Sequence, residues 1–230
     1  MTHMHIPDGV LPVTAWLLGI VLMALVLGIC LLRLKNADMA RNIPLLGAVS
    51  AAMLVVMSLE IFPLAYHINL SVVAGILLGP ALGFLAAFTT NLILAFMGHG
   101  GVTVIGLNTL LLGSEAVLGH SLFYLIGKRV PVFWRAAIAT VLTLMITTLA
   151  LIGIVALSHI DPDILNHAEG HGSGSNGNVD ISTFAVMVLS LGALGWLLEA
   201  AITGAVVSFI SKVKPDLLGH VLHRKTEAIR

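Results

Sequence analysis

Apolar residues come in long unbroken runs along this chain, separated by short polar or turn-forming breaks. The runs cover roughly 13–33, 42–63, 69–97, 104–127, 133–157 and 181–212. Between them stand "RLKNADMARN", "PLAYHIN", "GHGG", "GKRVP" and the long "HIDPDILNHAEGHGSGSNGNVD". Runs of about 18 or more apolar residues read as membrane-spanning helices. The run 69–97 holds "LLGPALG", and its Gly79-Pro80 pair is a helix breaker. It therefore divides into 69–79 and 81–97, which predicts seven helices. The first piece has about eleven residues, roughly 16 Å at about 1.5 Å each. A hydrocarbon core about 30 Å thick is too wide for it to cross. It must lie deep in the bundle or stop short of one face, as broken helices do where they line a cavity.

Composition agrees with an all-α integral membrane protein of one domain, residues 1–230. Hydrophobic residues make up 58% of the chain and charged residues 10%, and the mean hydropathy is +1.06. A soluble domain carries about 25% charged residues. The net charge is zero, so there is no basic face for nucleic acid. Cys30, the single cysteine, lies inside an apolar run and cannot form a disulfide within the chain. The residues before the first run hold no Lys or Arg, unlike a signal peptide.

Charge sets the expected orientation. Arg33, Lys35 and Arg41 follow the first run, and Lys128, Arg129 and Arg135 follow the fourth. Lys212, Lys214, Arg224, Lys225 and Arg230 follow the last. Placed in the cytoplasm, these clusters satisfy the positive-inside rule. The N-terminus is then outside, and the tail 213–230 is cytoplasmic. A single tilted helix over 69–97 would break that rule, which is the second reason to split it. Trp16 and Tyr66 then fall near the outer face and Tyr124 and Trp134 near the inner one, while Trp196 is mid-helix. Ala15-x-x-x-Gly19 and Ala24-x-x-x-Gly28 are small-residue spacings that suit close helix approach.

In this topology most histidines collect on the outer side: His3, His5, His67, His99, His159, His167 and His171. Imidazole is the commonest metal ligand and suits Zn, Ni and Cu. Each residue also has a plainer reading. His67 can be a packed, hydrogen-bonded histidine, and His99 a solvated loop residue. The stretch 159–180 reads as a flexible Gly/Ser/Asn-rich linker that catches metal weakly at most. Its His-Ala-Glu-Gly-His order is not the protease motif. Glu60, Glu115 and Glu199 fall within spans, where charge is costly. Asn108 and Glu115 are two turns apart and share a helix face, and Asn91 is also mid-helix. These groups form either a polar path for ions or an interhelical hydrogen-bond network with protonated carboxyls. No Gly-x-x-x-x-Gly-Lys-Ser/Thr loop is present, so energy for uphill transport must come from another chain. No catalytic set is recognisable, so the chain reads as a transport component and not an enzyme.

The opening "MHIPDGVLP", then His67 followed by "LLGP", then "GHGGVTVIGLN", resemble the substrate-specific M component of cobalt/nickel energy-coupling-factor transporters, the CbiM/NikM family. The resemblance covers essentially the whole chain. It implies a seven-helix fold whose N-terminal arm, residues 1–12 here, folds back into the bundle. It implies a metal held by the amine of Met4, the backbone nitrogen and ring of His5, and the ring of His67. An amine, an amide and an imidazole make fused chelate rings, a set favoured by Ni(II) and Cu(II). Met1-Thr2-His3 is itself an amine-x-His chelator and offers a second arrangement, and His99 is a weaker candidate at the mouth. No resident cofactor is implied; Ni(II) or Co(II) is the substrate. The implied partners are a transmembrane coupling (T/Q) subunit, two ATPase (A/O) subunits and a small membrane (N) subunit, in the plasma or inner membrane. Two rivals remain. One is a stand-alone divalent metal channel or exchanger using Glu115 and Glu199. The other is a binder of an organic ligand, which an aromatic content of 6% disfavours.

Overall fold

The computed structural model describes residues 13–35, 39–61, 66–157 and 181–218. The arm carrying Met1, His3, Met4 and His5, the loop 159–180 and the tail beyond 218 lie outside the described residues.

Seven helices and one small hairpin make up the described chain. Helix α1 spans Val13–Leu34 and α2 Met39–Met57. The two-residue strands β1 (Glu60–Ile61) and β2 (Tyr66–His67) follow. Then come α3 (Ser71–Leu78), α4 (Pro80–Phe96), α5 (Ile105–Leu125), α6 (Val132–Leu157) and α7 (Ile181–Val213). Helix α5 is the hub, packed against α1, α3, α4 and α6, and α6 lies along α7.

Among the described residues, three helices have segments long and apolar enough to cross a membrane by themselves: Val13–Leu34, Val132–Gly153 and Val188–Val213. Helix α1 shows the reason plainly. Leu18, Leu25 and Leu32 are 61%, 59% and 74% exposed, an apolar exterior that only lipid or a partner can cover. Helix α5 is equally long but more polar, and it is walled in by its neighbours. The chain is thus an all-α, multi-pass membrane protein.

The break in the third run is where Gly-Pro places it. Gly79 has φ 81° and ψ 172°, a conformation essentially reserved for glycine, and Pro80 opens α4 as the first helical residue. All eight residues of α3 are buried. It doubles back onto α4 so tightly that a Cβ on Gly83 would sit 3.0 Å from the Gly75 Cα. On the other side, a Cβ on Gly75 would lie 1.9 Å from the Ala116 carbonyl oxygen of α5. His120 adds a bond here, its Nδ1 3.0 Å from the Gly75 carbonyl oxygen.

Two expectations need correction. The second run was read as apolar to residue 63, but α2 ends at Met57. Ser58 bonds its Oγ back to the Leu54 carbonyl at 2.7 Å, and Glu60–Ile61 leave the helix to pair antiparallel with Tyr66–His67. Hydropathy alone continues through Leu59, Ile61 and Phe62; the pairing of Glu60–Ile61 with Tyr66–His67 overrides it. The small-residue pair also divides. Gly19 is a true contact, since a Cβ on Gly106 of α5 would meet the Gly19 carbonyl carbon at 2.5 Å, whereas among the described residues a Cβ on Gly28 would have nothing within 4 Å.

Chain direction gathers the turns at two ends. One end holds the α1/α2, α3/α4 and α5/α6 turns and the end of α7. There the Tyr124 hydroxyl donates to the Leu218 carbonyl at 2.8 Å. Arg33, Lys35, Lys128, Arg129, Lys212 and Lys214 all belong to this end. The hairpin and the α4/α5 turn belong to the other.

Candidate metal centre

His67 closes the hairpin, opposite Glu60 in register. The chain does not leave it for the surface. Two residues on, Asn69 is 2% exposed and meets Glu115, halfway along α5. The hairpin therefore reaches into the bundle, and α3 starts from mid-depth, which is why eight residues suffice for it.

Asn69 is fully engaged. Its backbone N–H donates to Glu199 Oε1 of α7 at 3.0 Å, and its Nδ2 donates to Glu115 Oε2 of α5. Its Oδ1 accepts from the Ser71 N–H at 2.7 Å and from the Ser71 hydroxyl. The Ser71 N–H is among the first of α3, a donor with no partner inside its own helix. Glu115 Oε1 also accepts from the Thr147 hydroxyl of α6 at 3.2 Å. One asparagine thus ties α3, α5 and α7 together, with α6 joined through Glu115. Glu115 and Glu199 are 4% and 1% exposed; buried carboxyls persist only where such donors reach them.

This places the groups that the sequence left open between an ion path and a packing network. Glu115 and Glu199 converge on Asn69 and hold the loop that carries His67. Asn91 does similar work higher up, donating from Nδ2 to Thr109 Oγ1 at 2.9 Å and to the Ile105 carbonyl at 3.2 Å, which fixes the top of α5 to α4. Asn108 is buried on α5, the same helix as Glu115.

His99 arrives from the α4/α5 turn. Gly98 and Gly100 on either side of it have φ 82° and 86°, the left-handed region that glycine enters without steric cost. The His99 N–H donates to the Leu94 carbonyl at 2.9 Å. The turn aims the exposed His99 ring at half-buried His67. The ring centroids are 5.6 Å apart, with planes at 89°.

Of the ligand candidates, His67 and His99 are brought together, whereas Met1, His3, Met4 and His5 lie outside the described residues. Among the described residues no three His, Cys, Asp or Glu side chains are grouped as a metal site. Asn69 was not singled out from sequence. Its signal was an amide inside the apolar approach to a broken helix, "HINLSVV", where a polar group must find partners.

The family model described as "cobalt uptake substrate-specific transmembrane region" matches residues 5–217. A metal transport protein of Haloquadratum walsbyi is 30% identical over 222 residues, covering 94% of this chain and 93% of the relative. A protein of Archaeoglobus fulgidus, named as a fused nickel transport protein, is 31% identical over 220 residues, covering 94% of this chain and 68% of that protein. The crystal structure of a transition metal transporter superposes with a TM-score of 0.76 over 99% of this chain and all of that one, at 20% identity, so the likeness there is one of fold. By the extent of the family match and by these relatives, the chain belongs to the family of cobalt uptake substrate-specific transmembrane regions.

Proposed function

We propose that this protein captures Ni(II) or Co(II) at one face of the membrane and delivers it inward as the substrate-binding subunit of an ATP-driven uptake transporter. As a member of its family it is a membrane component of cobalt/nickel transport. The observation that carries the finer reading is the held histidine: His67 stands on a loop fixed through Asn69 to Glu115 and Glu199, and faces His99 at the end away from the basic clusters. A rigidly placed imidazole of this kind is what a substrate ligand needs. Met4 and His5 complete the set from the arm, as amine, amide and ring, with Met1 and His3 as the alternative chelator.

The basic end faces the cytoplasm by the positive-inside rule, so the histidines face out. A coupling subunit, two ATPase subunits and a small membrane subunit supply the turnover. The Archaeoglobus relative, of which this chain matches 68%, supports a companion segment, since it is named as a fusion. The carboxyls bound at Asn69 weigh against a free-standing channel built on Glu115 and Glu199.

His5→Ala and His67→Ala are each expected to abolish tight stoichiometric Ni(II) or Co(II) binding by the purified chain, measured by titration calorimetry. Isotherms unchanged from the native protein would overturn the assignment. Mass spectrometry of the intact mature N-terminus decides between the Met4 and Met1 amines.

A further inference from the structure

We infer that His67 and His99 together form a two-imidazole transit site, which holds an incoming divalent transition-metal ion before it reaches its final seat. The inference rests on the reading of His67 as a substrate ligand, and it adds a residue and a step that this reading does not contain.

The first ground is distance. An imidazole–metal bond of about 2.0–2.1 Å puts the ring centre roughly 3.2 Å from the ion, so two rings sharing one ion have centres no more than about 6.4 Å apart. The observed 5.6 Å separation lies within that limit, although the two residues are 32 positions apart and come from different turns. In the perpendicular arrangement one ring presents its edge to the other. Joint ligation needs one ring to turn about χ2, which for histidine is a broad torsion with low barriers. His99 is exposed, so its ring has room to make that turn.

The second ground is the contrast in how the two rings are mounted. His67 is half-buried, on a loop fixed by buried hydrogen bonds to α5 and α7. His99 is exposed and sits between two positive-φ glycines, with its backbone N–H on the Leu94 carbonyl. A ligand at the solvent edge can meet a hydrated ion and displace water first. A ligand at a fixed position further in can then retain it. Two neutral imidazoles suit Ni(II), Co(II) and Zn(II) and take Mg(II) or Ca(II) poorly, because those ions prefer oxygen ligands. The pair thus also sorts ions at the mouth. Passage from one seat to the next is ligand exchange, with imidazole replacing water and then another nitrogen replacing imidazole; no electron moves.

The test uses purified full-length protein and Ni(II) alone. In stopped-flow binding, His99→Ala is expected to slow association about tenfold or more, the scale on which metal sites respond to loss of a supporting group, while stoichiometry stays at one ion per chain. In a His5→Ala background, weak residual Ni(II) binding is expected, and the added His99→Ala should remove it. His99→Gln, which keeps a polar side chain without an imidazole, should behave as His99→Ala. Unchanged association in His99→Ala, together with residual binding that ignores His99, would overturn the transit site and leave His67 as ligand. If instead His67→Ala binds Ni(II) as the native chain does, the underlying assignment of His67 fails, and the transit site with it. Because His99 is exposed in a turn, its replacement leaves the buried network intact, and a thermal melt equal to that of the native chain verifies this.

Discussion

Asn69 shows how much a single amide decides. Its donors reach two buried carboxyls and its oxygen serves the start of α3. Replacing it removes one of the donors to Glu115, with Thr147 remaining, and the acceptor of the Ser71 N–H and hydroxyl, while burial of both residues persists. An orphaned buried group costs about 1–3 kcal/mol, more when charged. Asn69→Ala is therefore expected to lower the melting temperature of the detergent-solubilised protein. It should also weaken Ni(II) binding by about 10–100-fold, the range for groups that orient a metal ligand. Glu115→Gln places an amide donor among groups that already donate, so it should act in the same direction with a smaller loss. Normal binding and melting in both variants would show that the loop is held by something else. The residue could be noticed in the sequence as an amide in an apolar run, but its partners could not. Glu115 and Glu199 are 46 and 130 positions away, and no local period links them.

At the scale of elements, most of what was legible came from two signals. Long apolar runs marked α1, α5, α6 and α7 to within a residue or two at each end, because polar and turn-forming residues stop each run where its helix stops. Gly79-Pro80 marked the break, because one residue there adopts a conformation that a side chain forbids. Gly79→Ala is expected to destabilise the fold by about 1–3 kcal/mol. Pro80→Ala should cost less, since proline at a first helical position only fixes a torsion already used. Chemical or thermal unfolding in detergent separates the two; equal losses would mean that the break is set by packing and not by the glycine torsion. The end of α2 was not legible. Its apolar character runs on past Met57, and the strand pairing with Tyr66–His67 draws the chain out of the helix.

For the molecule as a whole, the basic residues settle the expected orientation. The turn at Lys128 and the turn at Val102 are at opposite ends, and both side chains are exposed. In a chain with Cys30→Ser, Lys128→Cys is expected to react with an impermeant thiol reagent only from the cytoplasmic side, and Val102→Cys only from outside. The reverse pattern would invert the proposed direction of transport. The ligand role proposed for the arm belongs to this scale too, and it rests on resemblance alone, because a chelating set of this kind would leave no periodicity in the sequence.

The node at Asn69 has a mechanical meaning. Hydrogen bonds near 3 Å tolerate only a few tenths of an ångström before they weaken, and here they join α3, α5 and α7 to the loop beneath His67. Helix spacing and the position of that imidazole are thus one variable, not two. Pulling α7 away from α5 must either drag the loop or break the node, so a force applied along those helices is felt at His67. On the role proposed for His67, release of the ion would need no separate lever: the wall of the bundle would be the handle.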